Sequence, residues 1–173
     1  TTSSAEFLAD FTFLNSEYWD KASGTSMLDA QYRVVDGTED ASYTFASTTA
    51  DAYGDGGWMM RVVGAVGPPT SFTDATVQQA IPAFTTTQDN SLAVLSMISY
   101  DAVIDTAAVI AEGWALVETL DGGECALFTK QVSAADSYAR VQVSSSTTDY
   151  SPAIVAVFSP RPPAYFEDDF NRA

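Results

Sequence analysis

Histidine is absent from this chain of 173 residues, cysteine occurs once, and Lys and Arg together number 7 against 23 Asp and Glu. Each shortage removes a class of chemistry. Without imidazole there is no histidine general base, no triad base and no histidine metal ligand, so any catalysis would rest on carboxylates. A single thiol, Cys125, allows no intrachain disulfide and no cysteine zinc site. Between Glu124 and Ala126 it reads as a small buried hydrophobe on a strand. A formal net charge of -16 and a pI of about 4.1 oppose contact with nucleic-acid backbones and anionic lipid, because both are bound by cationic side chains. No apolar run approaches the ~18 residues of a membrane span, and the opening Thr1-Thr-Ser-Ser-Ala-Glu6 lacks the basic region of a signal peptide. The chain does not open on Met and runs to Asn171-Arg-Ala173, which reads as a processed product or an excerpt of a longer polypeptide.

What is present is strand chemistry. Apolar and polar residues alternate in short runs rich in aromatic and β-branched side chains, separated by Gly, Asp, Asn and Pro. The pattern predicts strands at Ala9–Leu14, Met27–Val34, Ala41–Ala46, Trp58–Val66, Ala75–Ala80, Leu92–Tyr100, Trp114–Thr119, Glu124–Gln131, Tyr138–Ser144 and Ala153–Phe158. Asp101–Glu112 permits a helical turn or two, and a loop is the preferred reading there. Asp36-Gly37, Gly54-Asp-Gly-Gly57 and Asp121-Gly122-Gly123 can supply positive φ in turns, while Gly67-Pro-Pro69 and Pro160-Arg-Pro-Pro163 end strands. Many short strands at such spacings predict an all-β, two-sheet antiparallel sandwich of jelly-roll type. One domain is expected over residues 1–160, with 161–173 a Pro-rich linker and the start of a following domain.

The second half of the chain echoes the first. Tyr32 answers Phe128, Asp40-Ala-Ser-Tyr43 answers Ala135-Asp-Ser-Tyr138, and Val62-Val-Gly-Ala-Val66 answers Ile154-Val-Ala-Val-Phe158. Two β-meanders of like design are the simplest cause.

Candidate chemical groups are few. Asp51, Asp55, Asp168 and Asp169 are oxygen ligands of the kind calcium takes, but Asp51-Ala-Tyr-Gly-Asp-Gly-Gly57 lacks regular ligand spacing and reads as a solvated turn. Glu112 and Glu118 are carboxylates that a glycosidase pair would need; sequence does not place them together. No catalytic, cofactor or metal residue is therefore assigned. Trp58, Trp114, Tyr43, Tyr138, Phe45 and Phe128 fall on strand positions and read as core, while Tyr53 in the Gly/Asp loop is the better ring for a sugar or a partner.

Pro82-Ala-Phe-Thr-Thr-Thr-Gln-Asp-Asn-Ser-Leu-Ala-Val94, then Gly113-Trp-Ala-Leu-Val117, Ala126-Leu-Phe-Thr-Lys130 and Ile154-Val-Ala-Val-Phe-Ser-Pro160 resemble, in that order, a β-sandwich module of bacteriophage tail and other virion surface proteins. Tyr32-Arg-Val-Val-Asp-Gly-Thr-Glu-Asp-Ala-Ser-Tyr-Thr-Phe45 resembles the meander of the same module. The likeness spans most of residues 17–160, with two departures: Gly113-Trp114-Ala115 where Gly-Trp-Thr is usual, and Tyr18-Trp19-Asp20 without a preceding Gly. Phe166-Glu-Asp-Asp-Phe-Asn-Arg-Ala173 is similar to the opening strand of a concanavalin-like, carbohydrate-associated domain. The resemblance implies a non-enzymatic, oligomeric structural protein on the virion surface, in a tail, fibre or capsid decoration. Its partners would be other virion proteins and copies of itself, with no nucleic acid, membrane insertion or cofactor. Arg161-Pro162-Pro163 is the expected docking or linker segment. The alternative is a carbohydrate-binding adhesion module for a host-surface glycan. A third reading, an accessory domain of a glycosidase, needs paired buried acids.

Overall fold

The computed structural model describes residues 11–21, 24–34, 58–76, 78–99, 102–144 and 151–161. Over these residues the chain is all-β, with one short helix. In order come β1 (Thr12–Lys21), β2 (Gly24–Tyr32), β3 (Thr70–Thr76), β4 (Ala80–Ile81), β5 (Phe84–Thr85), β6 (Ser91–Ile98), helix α1 (Thr106–Ala111), β7 (Ala115–Leu120), β8 (Cys125–Val132), β9 (Ser137–Tyr138), β10 (Val141–Gln142) and β11 (Ser151–Phe158). A five-stranded sheet has the order β3-β11-β6-β8-β7, and every neighbouring pair is antiparallel. β1 and β2 form a separate hairpin with Lys21 opposite Gly24, and two-residue ladders join β4 to β10 and β5 to β9.

Alternation along β6 explains the core. Ser91, Ala93, Leu95 and Met97 are buried while the residues between them are half-buried, as the two-residue period of a strand requires. The register carries that face across the sheet in one row: Phe72, Val155, Leu95, Phe128 and Leu116. Against it pack Ile81 and Phe84 from the small ladders, Val143, Ile104, Val109 of α1 and Trp114. Full burial of each such side chain contributes about 1.5–3 kcal/mol. On the β3 side, β1 runs close to β3 and β11, and the Asn15 amide Nδ2 donates to Ser71 Oγ at 3.0 Å. Ser71 and Phe72, successive residues of one strand, point to opposite faces of the sheet.

The helix departs from the expected loop. Asp105 caps it, its Oδ1 accepting from the Ala108 N–H at 3.0 Å, and alanines are the best helix formers. Six residues are too few to hold a helix alone; tertiary contacts do so. The buried Gln79 accepts the Asp105 N–H through Oε1 at 2.8 Å and donates through Nε2 to the Val103 carbonyl at 2.9 Å. Gly113, at φ 82°, then turns the chain out of the helix toward β7.

Other boundaries also moved. Trp58–Val66 is not a strand: among the described residues its only ladder contact is the Ala65–Pro160 bridge, and Gly64 at φ 83° cannot continue an extended run. Trp58 accordingly lies outside the core cluster. The expected Ala75–Ala80 strand is replaced by β3, which begins directly after Pro69, and by β4, with Gln79 between them. Tyr138–Ser144 resolves into β9 and β10. The turn at Asp121-Gly122-Gly123 takes positive φ at all three residues. The expected strand Ala41–Ala46 and the segment Asp40–Tyr43 of the internal echo lie outside the described residues. Of the echo that is described, Tyr32 and Phe128 both lie on strands, β2 and β8, whereas Ile154–Phe158 lies in β11 and Val62–Val66 in no strand.

Candidate functional site

Four aromatic rings and one cation come together at one end of the core. Phe84 and Tyr138 are opposite one another in the β5–β9 ladder, so their rings stack with centroids 4.5 Å apart and planes 8° from parallel. Trp114, brought in by the turn at Gly113, meets Phe84 edge-on at 5.8 Å, and Phe72 of β3 approaches the same ring at 6.4 Å. Offset stacks and edge contacts are the arrangements the ring quadrupole favours.

Lys130 completes the group. It lies in phase with Ala126, Phe128 and Val132, the inward positions of β8, opposite Ala93. An ammonium cannot remain in the core, so the stem passes over apolar surface and the head emerges at the rim. There Nζ donates to the Glu112 carbonyl at 2.8 Å and stands 5.8 Å from the Trp114 ring centre and 5.5 Å from that of Tyr138. Both distances lie within the ~6 Å reach of a cation–π contact.

Between these groups is a cleft of about 120 Å³. Ile81, Phe84, Ala139 and Val141 line it with apolar groups and Trp114 and Tyr138 with rings, and Glu112 and Lys130 lie at its rim, joined through the Glu112 backbone carbonyl. Glu112 is exposed just beyond α1, whereas Tyr138 and Lys130 are half-buried. The lining offers donors and an acceptor beside aromatic surface. Glu112 is its one acidic lining residue, and Glu118, on β7, is not part of it. The paired-acid arrangement of glycoside hydrolysis is thus not assembled in this cleft.

Sequence reasoning placed Trp114 and Phe128 in the core, and both are buried there. Tyr138 packs against that core while also lining the cleft. The part played by Lys130 was missed; its signal was a lysine in phase with the inward apolar positions of its strand. Cys125 is buried on β8, and burial, reinforced by the negative charges of Asp121 and Glu124, pushes its thiol up to about 11. Asp51, Asp55, Tyr53, Asp168 and Asp169 lie outside the described residues, as do Pro162 and Pro163. The backbone N–H of Arg161 donates to the Gly64 carbonyl at 2.7 Å, which ties the start of the Pro-rich tail to the segment before β3. Among the described residues no cluster of three or more Asp, Glu or Cys is placed to hold a metal ion, and no helix is long and apolar enough to cross a membrane. Comparison with protein-family models, with curated proteins and with solved structures finds no match to this chain.

Proposed function

We propose that the chain is a non-enzymatic structural protein of a bacteriophage virion, a tail, fibre or capsid-decoration component that works through protein–protein interfaces with other virion proteins and with copies of itself. The observation that carries this reading is the apolar flank built by α1 and β7. Val103, Ile110, Leu116 and Val117 are between 41% and 65% exposed there. Thr106–Ala111 and Ala115–Val117 contain no charged residue in a chain of net charge -16. Repulsion between acidic surfaces is weakest at such a place, and interface centres are depleted of charge. A bulge between Leu116 and Glu118 interrupts the edge of β7, which opposes extension of the sheet by a second strand. Contact would therefore be made through side chains. A two-sheet packing over residues 1–160 belongs to the same proposal, since a small isolated sheet is marginal by itself.

The test is the double substitution Ile110→Lys with Val117→Lys, read by analytical ultracentrifugation of the full chain and by immunolabelling of phage particles that encode it. The natural chain is expected on particles and in self-association that the double variant loses. A chain that is monomeric at every concentration and absent from particles overturns the reading.

The cleft between Tyr138 and Lys130 favours a second reading, a carbohydrate-binding adhesion module. Aromatic surface beside hydrogen-bonding groups is what a sugar ring needs.

A further inference from the structure

We infer that residues 137–142 form a strap across one end of the core, anchored at both ends and closed by two charged contacts, and that the strap opens as a unit while the five-stranded sheet stays folded. Its own backbone pairing is slight. β9 and β10 make ladders of two residues each, to β5 and β4, and Ala139 and Arg140 between them lie in no strand. The anchors on either side are firmer. Before the strap, the buried Thr86 donates its N–H to the Asp136 carbonyl at 2.9 Å and accepts the Asp136 N–H on Oγ1 at 3.1 Å. After it, the Val143 N–H donates to the carbonyl of the buried Gln79 at 2.9 Å.

Between these anchors the fastening comes from side chains. Asp74 and Lys130 both occupy inward positions of the main sheet, opposite Ala153 and Ala93, where a charge is tolerated only if it reaches a partner or the rim. Both reach the strap: Lys130 Nζ stands 5.5 Å from the Tyr138 ring centre, and Asp74 Oδ2 pairs with Arg140 Nε. The Asp74 side chain is 11% exposed and that of Arg140 35%, so salt weakens this pair without abolishing it. The stack of Tyr138 on Phe84 is the third fastening. Beneath lies the cleft, with Tyr138, Ala139 and Val141 contributed by the strap and Ile81, Phe84 and Trp114 by the end of the core. Opening therefore uncovers the face of Phe84 and widens the cleft toward the core. Ser137, Ala139, Arg140 and Gln142 are exposed and Tyr138 and Val141 only half-buried; segments with so little buried surface open at free energies well below that of global unfolding.

Native-state amide exchange of the full chain, followed by NMR, tests this. The amides of Tyr138 and Val141 are expected to exchange at least ~10-fold faster than those of β6, at rates that urea below the unfolding transition leaves unchanged, whereas β6 should accelerate with urea. Raising NaCl from about 0.02 M to about 0.5 M should speed the two strap amides ~2–5-fold relative to β6. Lys130→Met keeps the stem and removes the charge, and Asp74→Asn keeps the shape. Each variant should speed exchange at both strap amides ~2–5-fold relative to β6, because the strap opens as one. A residue that only supports its own neighbour would move one amide: Tyr138 for Lys130, Val141 for Asp74. Strap amides that share the rate and urea dependence of β6, that ignore salt, or that respond only to the nearer variant overturn the inference. The urea and salt series use the natural chain, so these two readouts stand even if a variant fails to fold.

Discussion

Val62-Val-Gly-Ala-Val66 and Ile154-Val-Ala-Val-Phe158 are near-copies in pattern and opposites in structure. The second lies in β11, bonded to β3 on one side and β6 on the other, and Val155 is 0% exposed. The first is irregular, touches the ladder at one bridge, and leaves Val63 82% exposed. Gly64 occupies the place of Ala156 and takes φ 83°. A run of β-branched residues becomes a strand only where neighbouring strands complete its hydrogen bonds, and one glycine released into positive φ is enough to break the run.

The largest expected contrast comes from placing the same charge at matched positions. Val155→Asp buries a carboxylate without a partner and should abolish the cooperative unfolding transition. Val63→Asp should change stability by no more than ~0.5 kcal/mol, read from the urea midpoint. Equal effects would show that the two segments are equally packed, contrary to their exposures.

Next is a pair on a single cross-sheet row. Leu95 is 0% exposed and Leu116, two strands away, is 41% exposed. Leu95→Ala is expected to cost about 2–5 kcal/mol, and Leu116→Ala under about 1 kcal/mol. If Leu116→Ala proves the costlier of the two, the flank of β7 is covered by something it packs against.

Exchanging the small residues sharpens the comparison further. Gly64→Ala has open space around its added carbon, since among the described residues beyond its chain neighbours no atom lies within 4 Å. Its cost of about 1–2 kcal/mol should therefore come from left-handed backbone alone. Ala156→Gly should cost about 0.5–1 kcal/mol through lost strand rigidity. Denaturant titration distinguishes these losses from a stabilising Gly64→Ala, which would mean that the segment relaxes to an extended form.

The smallest effect concerns Cys125, at the start of β8 and beside the turn. Burial, then Asp121 and Glu124, push its thiol up to about 11, so the folded chain favours the neutral form more than the unfolded chain does. That contribution is complete below the unfolded pKa and is lost as pH climbs toward the folded one. Stability should thus decline on the alkaline side between about 9 and 11, and Cys125→Ala should flatten that decline. At neutral pH the thiol should react with an aromatic disulfide far faster in urea than in buffer; equal rates would mean an open thiol.

The elements that were legible in sequence share a cause. β6, β8 and β11 combine clean alternation or continuous apolar character with breakers at their ends, and Leu92–Tyr100, Glu124–Gln131 and Ala153–Phe158 overlap the observed Ser91–Ile98, Cys125–Val132 and Ser151–Phe158. α1 was not legible because six residues carry too little local free energy to form a helix, and the groups that hold it are distant: Gln79 is 26 residues from Asp105 in sequence. β3 was obscured by its polar Thr-Ser-Phe-Thr-Asp composition directly after two prolines. The cleft was legible only in part. Trp114 and Tyr138 were identified as inward-facing and Phe84 was not, and that Lys130 would emerge beside Glu112 depends on where the turn after α1 brings the backbone.

By itself, then, the sequence determined the all-β class, the inward face of the central strands, the buried thiol and the positive-φ turn at Asp121–Gly123, because each follows from local periodicity or from a single residue's conformational range. Tertiary structure alone decided which of two matching valine runs became a strand, that Thr106–Ala111 became a helix, and that Phe84, Trp114, Tyr138, Lys130 and Glu112 share one cleft. Those outcomes rest on hydrogen bonds and contacts between residues far apart in the chain, whose formation no local pattern encodes.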